Sequence, residues 1–357
     1  MKKAILTAAF SLFAAIVISC GKDGNGNFTK GNPAKLDTLS YAIGIDLANG
    51  LNRGLGSVKL DNDLLVKGLE AAAMGDKSVK SGKVVITKEV SDSLLMTYFR
   101  STLTERMQAV RTNERALMDT TGNIKPVEID FNPETMFAGE EERALISTAY
   151  GFDMGNNLAK NQFPLQLCWL VSGLKDAWGE NTKMTYDEVQ NYLREYLMVR
   201  VPAENQAASE KWLAKIEKKT GVKKTESGLL YKIVNEGDVN AKPAATDVVK
   251  VHYKGSTRKG VVFDASRYAD MPEERKQQAK MYNPDSYKDD APVEFPLNRV
   301  IKGWTEGVQL IGKGGKIQLW IPAELAYGAR GAGANIGPNE ALYFEVELID
   351  VVAPAQK

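Results

Sequence analysis

The chain has 357 residues, more than one compact core holds at roughly 100 to 200 residues per domain. Apolar residues make up 43 % and charged residues 25 %, which suits ordinary cores and excludes a globally disordered or collagen-like chain. Lys plus Arg number 46 against 45 Asp plus Glu, so bulk charge offers no footprint for nucleic acid. Two Cys and one His leave almost no room for a disulfide framework, a Cys/His zinc site or a His-based triad.

The chain opens on MKKAILTAAFSLFAAIVISC, with a basic start at Lys2 and Lys3, an apolar stretch from Ala4 to Ile18 and a small residue before a cysteine. That pattern predicts an export signal over residues 1–19, too short for a comfortable membrane-spanning helix of about 20 residues. Val17, Ile18, Ser19 and Cys20 resemble a bacterial lipobox, which implies a lipid on Cys20 and a lipid-anchored protein of the bacterial cell envelope. Gly21, where an Asp would be read as a retention mark, implies the outer membrane. Residues 20–36, rich in Gly, Asn and Lys, predict a flexible tether. Cys168, set among Leu165, Leu167 and Leu170, predicts a small core residue.

A repeat follows. LSYAIGIDLANGL (39–51) and ISTAYGFDMGNNL (146–158) share Ser40/Ser147, Ala42/Ala149, Gly44/Gly151, Asp46/Asp153, Asn49/Asn156 and Leu51/Leu158 in one ungapped register. A second match aligns Gly68 with Gly173, and each copy then enters a further helix, one after Thr87 and one at Thr185. Thr185 and Glu188 have capping-box spacing, and Val189, Tyr192, Leu193, Tyr196 and Leu197 recur at helical spacing. The expected organisation is a helical arm over 37–118, a connector over 119–143, a second arm over 144–200 and a largely solvated helical stalk over 201–221. Asp46 and Asp153 predict capping or surface roles.

From about Glu226 the period changes from 3.6 to 2. Val249, Val251 and Tyr253 alternate with Lys250, His252 and Lys254; Ile317, Leu319 and Ile321 alternate with Lys316, Gln318 and Trp320; Leu342, Phe344, Val346 and Leu348 form a third such set. These predict antiparallel strands with one dry and one wet face. A short helix near 299–311 is the candidate to cover the dry face, and His252 falls on the solvated one.

VHYKG (251–255), VFDASR (262–267), VIKGWTEGVQLIGKGGK (300–316), LAYGARG (325–331) and YFEVELI (343–349) together resemble the FK506-binding-protein (FKBP) type of peptidyl-prolyl cis-trans isomerase. The repeat and stalk resemble the helical arm of macrophage-infectivity-potentiator-like members, which carry one arm per chain. The resemblance implies an α+β multidomain fold: an all-α N-terminal arm in two repeats, a long helical stalk, then an antiparallel β-sheet wrapped on one short helix over 222–357, with an insertion at 268–291. It implies isomerisation of X-Pro bonds in unfolded or folding polypeptides, with no cofactor or metal. Trp304 would floor the proline pocket, with Tyr253, Phe263, Phe295, Val300, Ile301 and Phe344 as walls. Tyr327 and the Ile301 N–H would meet substrate carbonyls, Asp264 would stand at the edge, and Ile336 would hang over the site. Arg267 is the candidate partner of Asp264. The rival reading is a non-catalytic chaperone or surface interaction protein that reuses the fold. The expected partners are polypeptide clients and a membrane reached through Cys20, not nucleic acid, and the two arms pair either with each other or in a homodimer.

Overall fold

The computed structural model describes residues 28–159, 164–273, 275–276, 290–333 and 335–352; the signal segment, Cys20 and most of the 268–291 insertion lie outside the described residues. The chain divides between Arg194 and Glu195 into two compact units. No helix of the described residues is long and apolar enough to cross a membrane.

The first unit is helical. Its elements are β1 (Phe28–Thr29), α1 (Thr38–Leu55), α2 (Asn62–Ala73), β2 (Ser78–Ser81), β3 (Val84–Thr87), α3 (Lys88–Thr97) and, after a π-helical turn Tyr98–Thr102, α4 (Leu103–Met118). Then come α5 (Glu140–Ala159), β4 (Leu165–Gln166), α6 (Leu167–Trp178) and α7 (Tyr186–Glu195). The starts follow from side-chain caps: Asp37 accepts from the Ser40 N–H, Asp61 from Leu64 and Thr87 from Val90. At α7 the capping box is reciprocal, with the Thr185 N–H donating to Glu188 at 2.7 Å and the Glu188 N–H to Thr185 Oγ1 at 3.3 Å.

The helices pair crosswise: α1 packs on α6 and α2 on α5. Glycine permits the close approach. A Cβ on Gly151 would fall 1.8 Å from the Leu65 carbonyl oxygen, and one on Gly44 would fall 2.1 Å from that of Leu170. The repeat positions Ser40 and Ser147 take matching roles, accepting from the Gln166 N–H ahead of α6 and the Asp61 N–H ahead of α2, each at 2.8 Å. Asp46 and Asp153 are not caps. Asp46 accepts from Gln190 of α7 at 2.6 Å, and Asp153 pairs with Lys88 of α3 at 3.1 Å.

Two linking regions are more ordered than their composition predicts. Phe28–Thr29 of the expected tether pairs in parallel with Leu165–Gln166. Phe137, late in the connector, is buried and stacked on Tyr98, and α5 begins at Glu140, so the connector closes the core. Cys168 is only half-buried, because its sulfur faces Gly31 of that same segment rather than the helix pair.

The second unit begins with a π-helical turn Tyr196–Arg200 and α8 (Val201–Glu217). Its strands are β5 (Lys223–Lys224), β6 (Leu230–Asn235), β7 (Val248–Thr257), β8 (Val262–Ala265), β9 (Val293–Pro296), β10 (Lys316–Ile321) and β11 (Leu342–Val352), with α9 (Lys302–Val308) ahead of β10. They form an antiparallel sheet in the order β5-β6-β10-β11-β7-β8, with β9 also on β7. The dry face carries Val249, Val251, Ile317, Leu319, Leu342, Val346 and Leu348, packed with α9 in one core. Gly303 and Gly307 bring α9 against it, since a Cβ there would meet Ile321 and Leu319 at 2.4 and 2.5 Å. The helix is shorter than predicted; Leu297–Arg299 makes a 3-10 turn instead.

The expected solvated stalk is wrong on one side. Trp212, Leu213 and Ile216 of α8 pack on Leu230 and Trp320 of the sheet's other face. Ser209, fully enclosed, donates to the Asn339 carbonyl and accepts from the Ala341 N–H, both at 3.0 Å. Sparse apolar residues among charges read as exposure, yet their spacing of three and four puts them on one stripe. That face of the sheet is therefore dry where α8 crosses it and wet beyond.

Candidate functional site

On the dry face the alternation of β7 and β11 aims Tyr253 and Phe344 inward, and α9 delivers Trp304 between them. The Trp304 ring meets Tyr253 at 5.3 Å, Phe344 at 5.3 Å and Phe295 at 5.7 Å, all nearly perpendicular. Phe263 of β8 stands edge-on to Phe344 at 5.6 Å. Edge-to-face contacts of this kind suit the ring quadrupole and join the rings into one aromatic cluster. Gly255 is needed at its base, because a Cβ there would lie 2.6 Å from Phe344 and 2.8 Å from Phe263.

Val300 and Ile301 pack on the same cluster. Ile301 is the residue before α9, in extended conformation, so its N–H precedes the helical ladder while its carbonyl accepts from Trp304 at 2.9 Å. Ile336 is buried in the cluster, held by two backbone hydrogen bonds with Ala332 across a tight loop. The Trp304 indole N–H is buried with no hydrogen-bond partner among the described residues, which leaves a donor at the floor.

The polar rim centres on Asp264. The Tyr253 hydroxyl donates to Asp264 Oδ2 at 2.7 Å, and the Asp264 carboxylate also accepts from the Ala265 N–H at 3.1 Å. Burial, then the Asp264 charge, pushes the Tyr253 phenol up. The same causes in the same order raise Tyr327, which keeps 40 % of its surface open. Both hydroxyls are therefore protonated donors at neutral pH. The residues singled out in the sequence, Tyr253, Phe263, Asp264, Phe295, Val300, Ile301, Trp304, Tyr327, Ile336 and Phe344, thus share one neighbourhood.

Arg267 is not the partner of Asp264. It pairs with Glu347 at 2.7 Å on the outer face of the sheet. Arg275, from the insertion, reaches Asp264 Oδ1 at 3.2 Å. The insertion returns to the domain through Lys254 to Asp270 at 2.7 Å and the Tyr268 N–H to Asp290 at 2.7 Å. Nothing in the sequence separates Arg275 from the other cations of that segment; only the fold brings it to the rim. His252 is half-buried rather than solvated, and its Nδ1 lies 3.2 Å from Ser266 Oγ. Burial and then Arg267 lower its pKa, so the neutral ring is favoured. Among the described residues no group of His, Cys, Asp and Glu is placed to hold a metal ion.

Residues 239–349 match the family model described as FKBP-type peptidyl-prolyl cis-trans isomerase, and residues 143–233 match the domain amino-terminal to it. Among curated relatives, the FKBP-type peptidyl-prolyl cis-trans isomerase FkpA of Aeromonas hydrophila is 38 % identical over 60 % of this chain and 77 % of its own length. The FKBP-type 22 kDa isomerase of Escherichia coli is 40 % identical over 51 % of this chain and 82 % of its own length. The outer membrane protein MIP of Legionella longbeachae is 32 % identical over 58 % of this chain and 84 % of its own length. An aromatic cluster built on an indole, edged by phenols and lying within the matched residues 239–349 has one reading: the chain belongs to the FKBP-type peptidyl-prolyl cis-trans isomerase family.

Proposed function

We propose that this isomerase acts on X-Pro bonds of unfolded or folding proteins of the cell envelope, by binding the twisted amide in the bowl above Trp304. The observation that carries the reading is the aromatic cluster, with Tyr253, Phe295 and Phe344 standing perpendicular around Trp304. Amide resonance holds the bond planar behind a barrier of about 18–20 kcal/mol. No bond is made or broken, so fitting the twisted form better than the planar one is enough to accelerate rotation. The planar amide is the more dipolar form, and an apolar wall disfavours it. Tyr327 and the Ile301 N–H donate to the carbonyls flanking proline, while Asp264 and Arg275 fix the Tyr253 hydroxyl at the rim. Isomerisation of an X-Pro tetrapeptide by the full chain tests this, with Trp304→Leu and Tyr327→Phe as controls. Equal rates with and without the unmutated protein would leave the non-catalytic chaperone reading.

The localisation rests on residues 1–20 and on the likeness to the outer membrane protein MIP of Legionella longbeachae. We infer a signal over 1–19 and a lipid on Cys20; metabolic labelling with a fatty acid, lost in Cys20→Ser, is the test. The arm is read as duplicated, each copy pairing with the other inside one chain to give a single catalytic domain on a self-paired arm. The crosswise packing of α1 on α6 and α2 on α5 supports this, as do the matching contacts of Gly44 and Gly151. Light scattering on residues 21–357 should return a monomer mass, and a stable dimer would count against self-pairing.

A further inference from the structure

The second unit has a concave site on the opposite face of the sheet. Strand alternation sends Leu319 and Ile321 toward α9 and sends Trp320 the other way, beneath α8. Between α8 and this outer face lies a groove of about 450 Å³, within the range of ligand sites. Trp320 and Tyr343 form its floor, ring centroids 5.3 Å apart and tilted by 33°, and Trp212 and Ile216 form one wall.

Lys219, Lys232 and Arg258 line the groove and no Asp or Glu is among the lining residues, the nearest carboxylate at the floor being Glu345, which accepts from the Tyr343 hydroxyl at 2.8 Å. Arg258 is balanced from below, its Nε lying 3.6 Å from the buried Glu340 carboxylate and its Nη2 donating to Asn205 at 3.0 Å. Lys219 and Lys232 have no such counterweight among the lining residues. Thr257, fully buried, lines the same groove with a hydroxyl that has no hydrogen-bond partner among the described residues. Aromatic floor, positive rim and a spare buried hydroxyl are the features that recognise an acidic ligand with an apolar body.

We propose that this groove is a second polypeptide-binding site, taking a client segment that carries a carboxylate beside an aromatic or branched aliphatic side chain. A polypeptide is favoured over a small anion because the enzyme already handles extended chains on the reverse of the same sheet. Two contacts on one chain raise the effective concentration of proline at the bowl. The inference rests on the polypeptide-client reading, and its test is separable from that reading because the probe contains no proline.

The probe is a fluorescent, proline-free peptide alternating Asp with Trp and Leu, titrated into the full chain by anisotropy beside its Asn-for-Asp counterpart. The expected result is preference for the Asp peptide, and binding weakened about tenfold by Lys219→Glu with Lys232→Glu. X-Pro tetrapeptide turnover should stay unchanged in that variant, and a saturating proline peptide should not displace the probe. No binding by the unmutated chain, equal affinity in the charge-reversed variant, or displacement by the proline peptide would each overturn the proposal. Lys219→Ala alone, at an exposed position, guards against misfolding of the double variant and should give an intermediate loss.

Discussion

α4 and α8 occupy comparable places after their π-helical turns and have different surroundings. Each follows a π-helical turn, Tyr98–Thr102 or Tyr196–Arg200, placed alike after the capping threonines Thr87 and Thr185. In the register those turns set, Ser209, Trp212, Leu213 and Ile216 of α8 correspond to Arg111, Glu114, Arg115 and Met118 of α4. The α8 set lies on the sheet, whereas Arg111, Glu114 and Arg115 are exposed. α4 is held instead on another side, by Arg106 to Glu142 at 2.7 Å and by Asn113 to Val127. The difference teaches where two comparable helical frames part: at these four positions the helix on the sheet carries Ser, Trp, Leu and Ile, and the other carries Arg, Glu, Arg and Met.

The strongest way to break this comparison is to give α8 the residues of α4. Trp212→Glu with Leu213→Arg should destabilise the second unit by about 3 kcal/mol, since it removes half-buried aromatic and aliphatic surface and brings charge onto Trp320. Urea unfolding followed by tryptophan fluorescence measures it, and an unchanged midpoint would show that α8 is a stalk after all. Next is the glycine crossing of the first unit. Gly151→Ala pushes a methyl against the Leu65 carbonyl and should cost about 2 kcal/mol in the melting of that unit, with tetrapeptide turnover unaffected. Gly44→Ala, at the matching crossing, should cost nearly the same; a large inequality would argue against equivalent arms.

Much of this was legible in the sequence, for identifiable reasons. Period-2 alternation in β7, β10 and β11 marks the dry face directly, and the bowl follows because Tyr253, Trp304 and Phe344 belong to motifs read in order. The repeat announced itself through Gly44, Gly151, Gly68 and Gly173, which crossing backbones require. Contacts far apart in sequence were not legible. The docking of α8 depends on Leu230 and Trp320 meeting Ile216. The role of Phe137 depends on Tyr98, and that of Arg275 on where the insertion folds back to Asp264. No local pattern encodes such meetings.

Ser209 offers a finer cut, because α4 has Arg111 in its place. Ser209→Ala would strand the Ala341 N–H and the Asn339 carbonyl in a buried position and should cost about 1 kcal/mol. Full stability in that variant would limit the docking to its apolar contacts. At the rim of the bowl, Arg275→Ala removes a largely exposed charge pair, so a loss of about threefold in kcat/KM is expected with no change in melting. A larger loss would assign Arg275 a direct contact with substrate, and Arg275→Lys should then restore only part of it.

The smallest effect concerns the part of the outer face that α8 leaves uncovered. There charge replaces the apolar cover: Glu347 lies between Arg267 at 2.7 Å and Lys316 at 2.8 Å. These partners hold its carboxyl down at about 2, against an ordinary 4.5. A depressed acid contributes stability that is complete above the unfolded value and is lost as pH falls toward the folded one. The second unit should therefore weaken between about pH 4.5 and pH 2, and Glu347→Gln should make that acid limb shallower while changing little at pH 7 beyond the loss of a half-exposed ion pair. Because the cluster is solvent-accessible, salt should mimic the variant by screening it, whereas the contact of α8 with Trp320 should be indifferent to salt. An acid limb of equal slope in both proteins at low salt would mean that the uncovered face, unlike the covered one, adds nothing to the sheet.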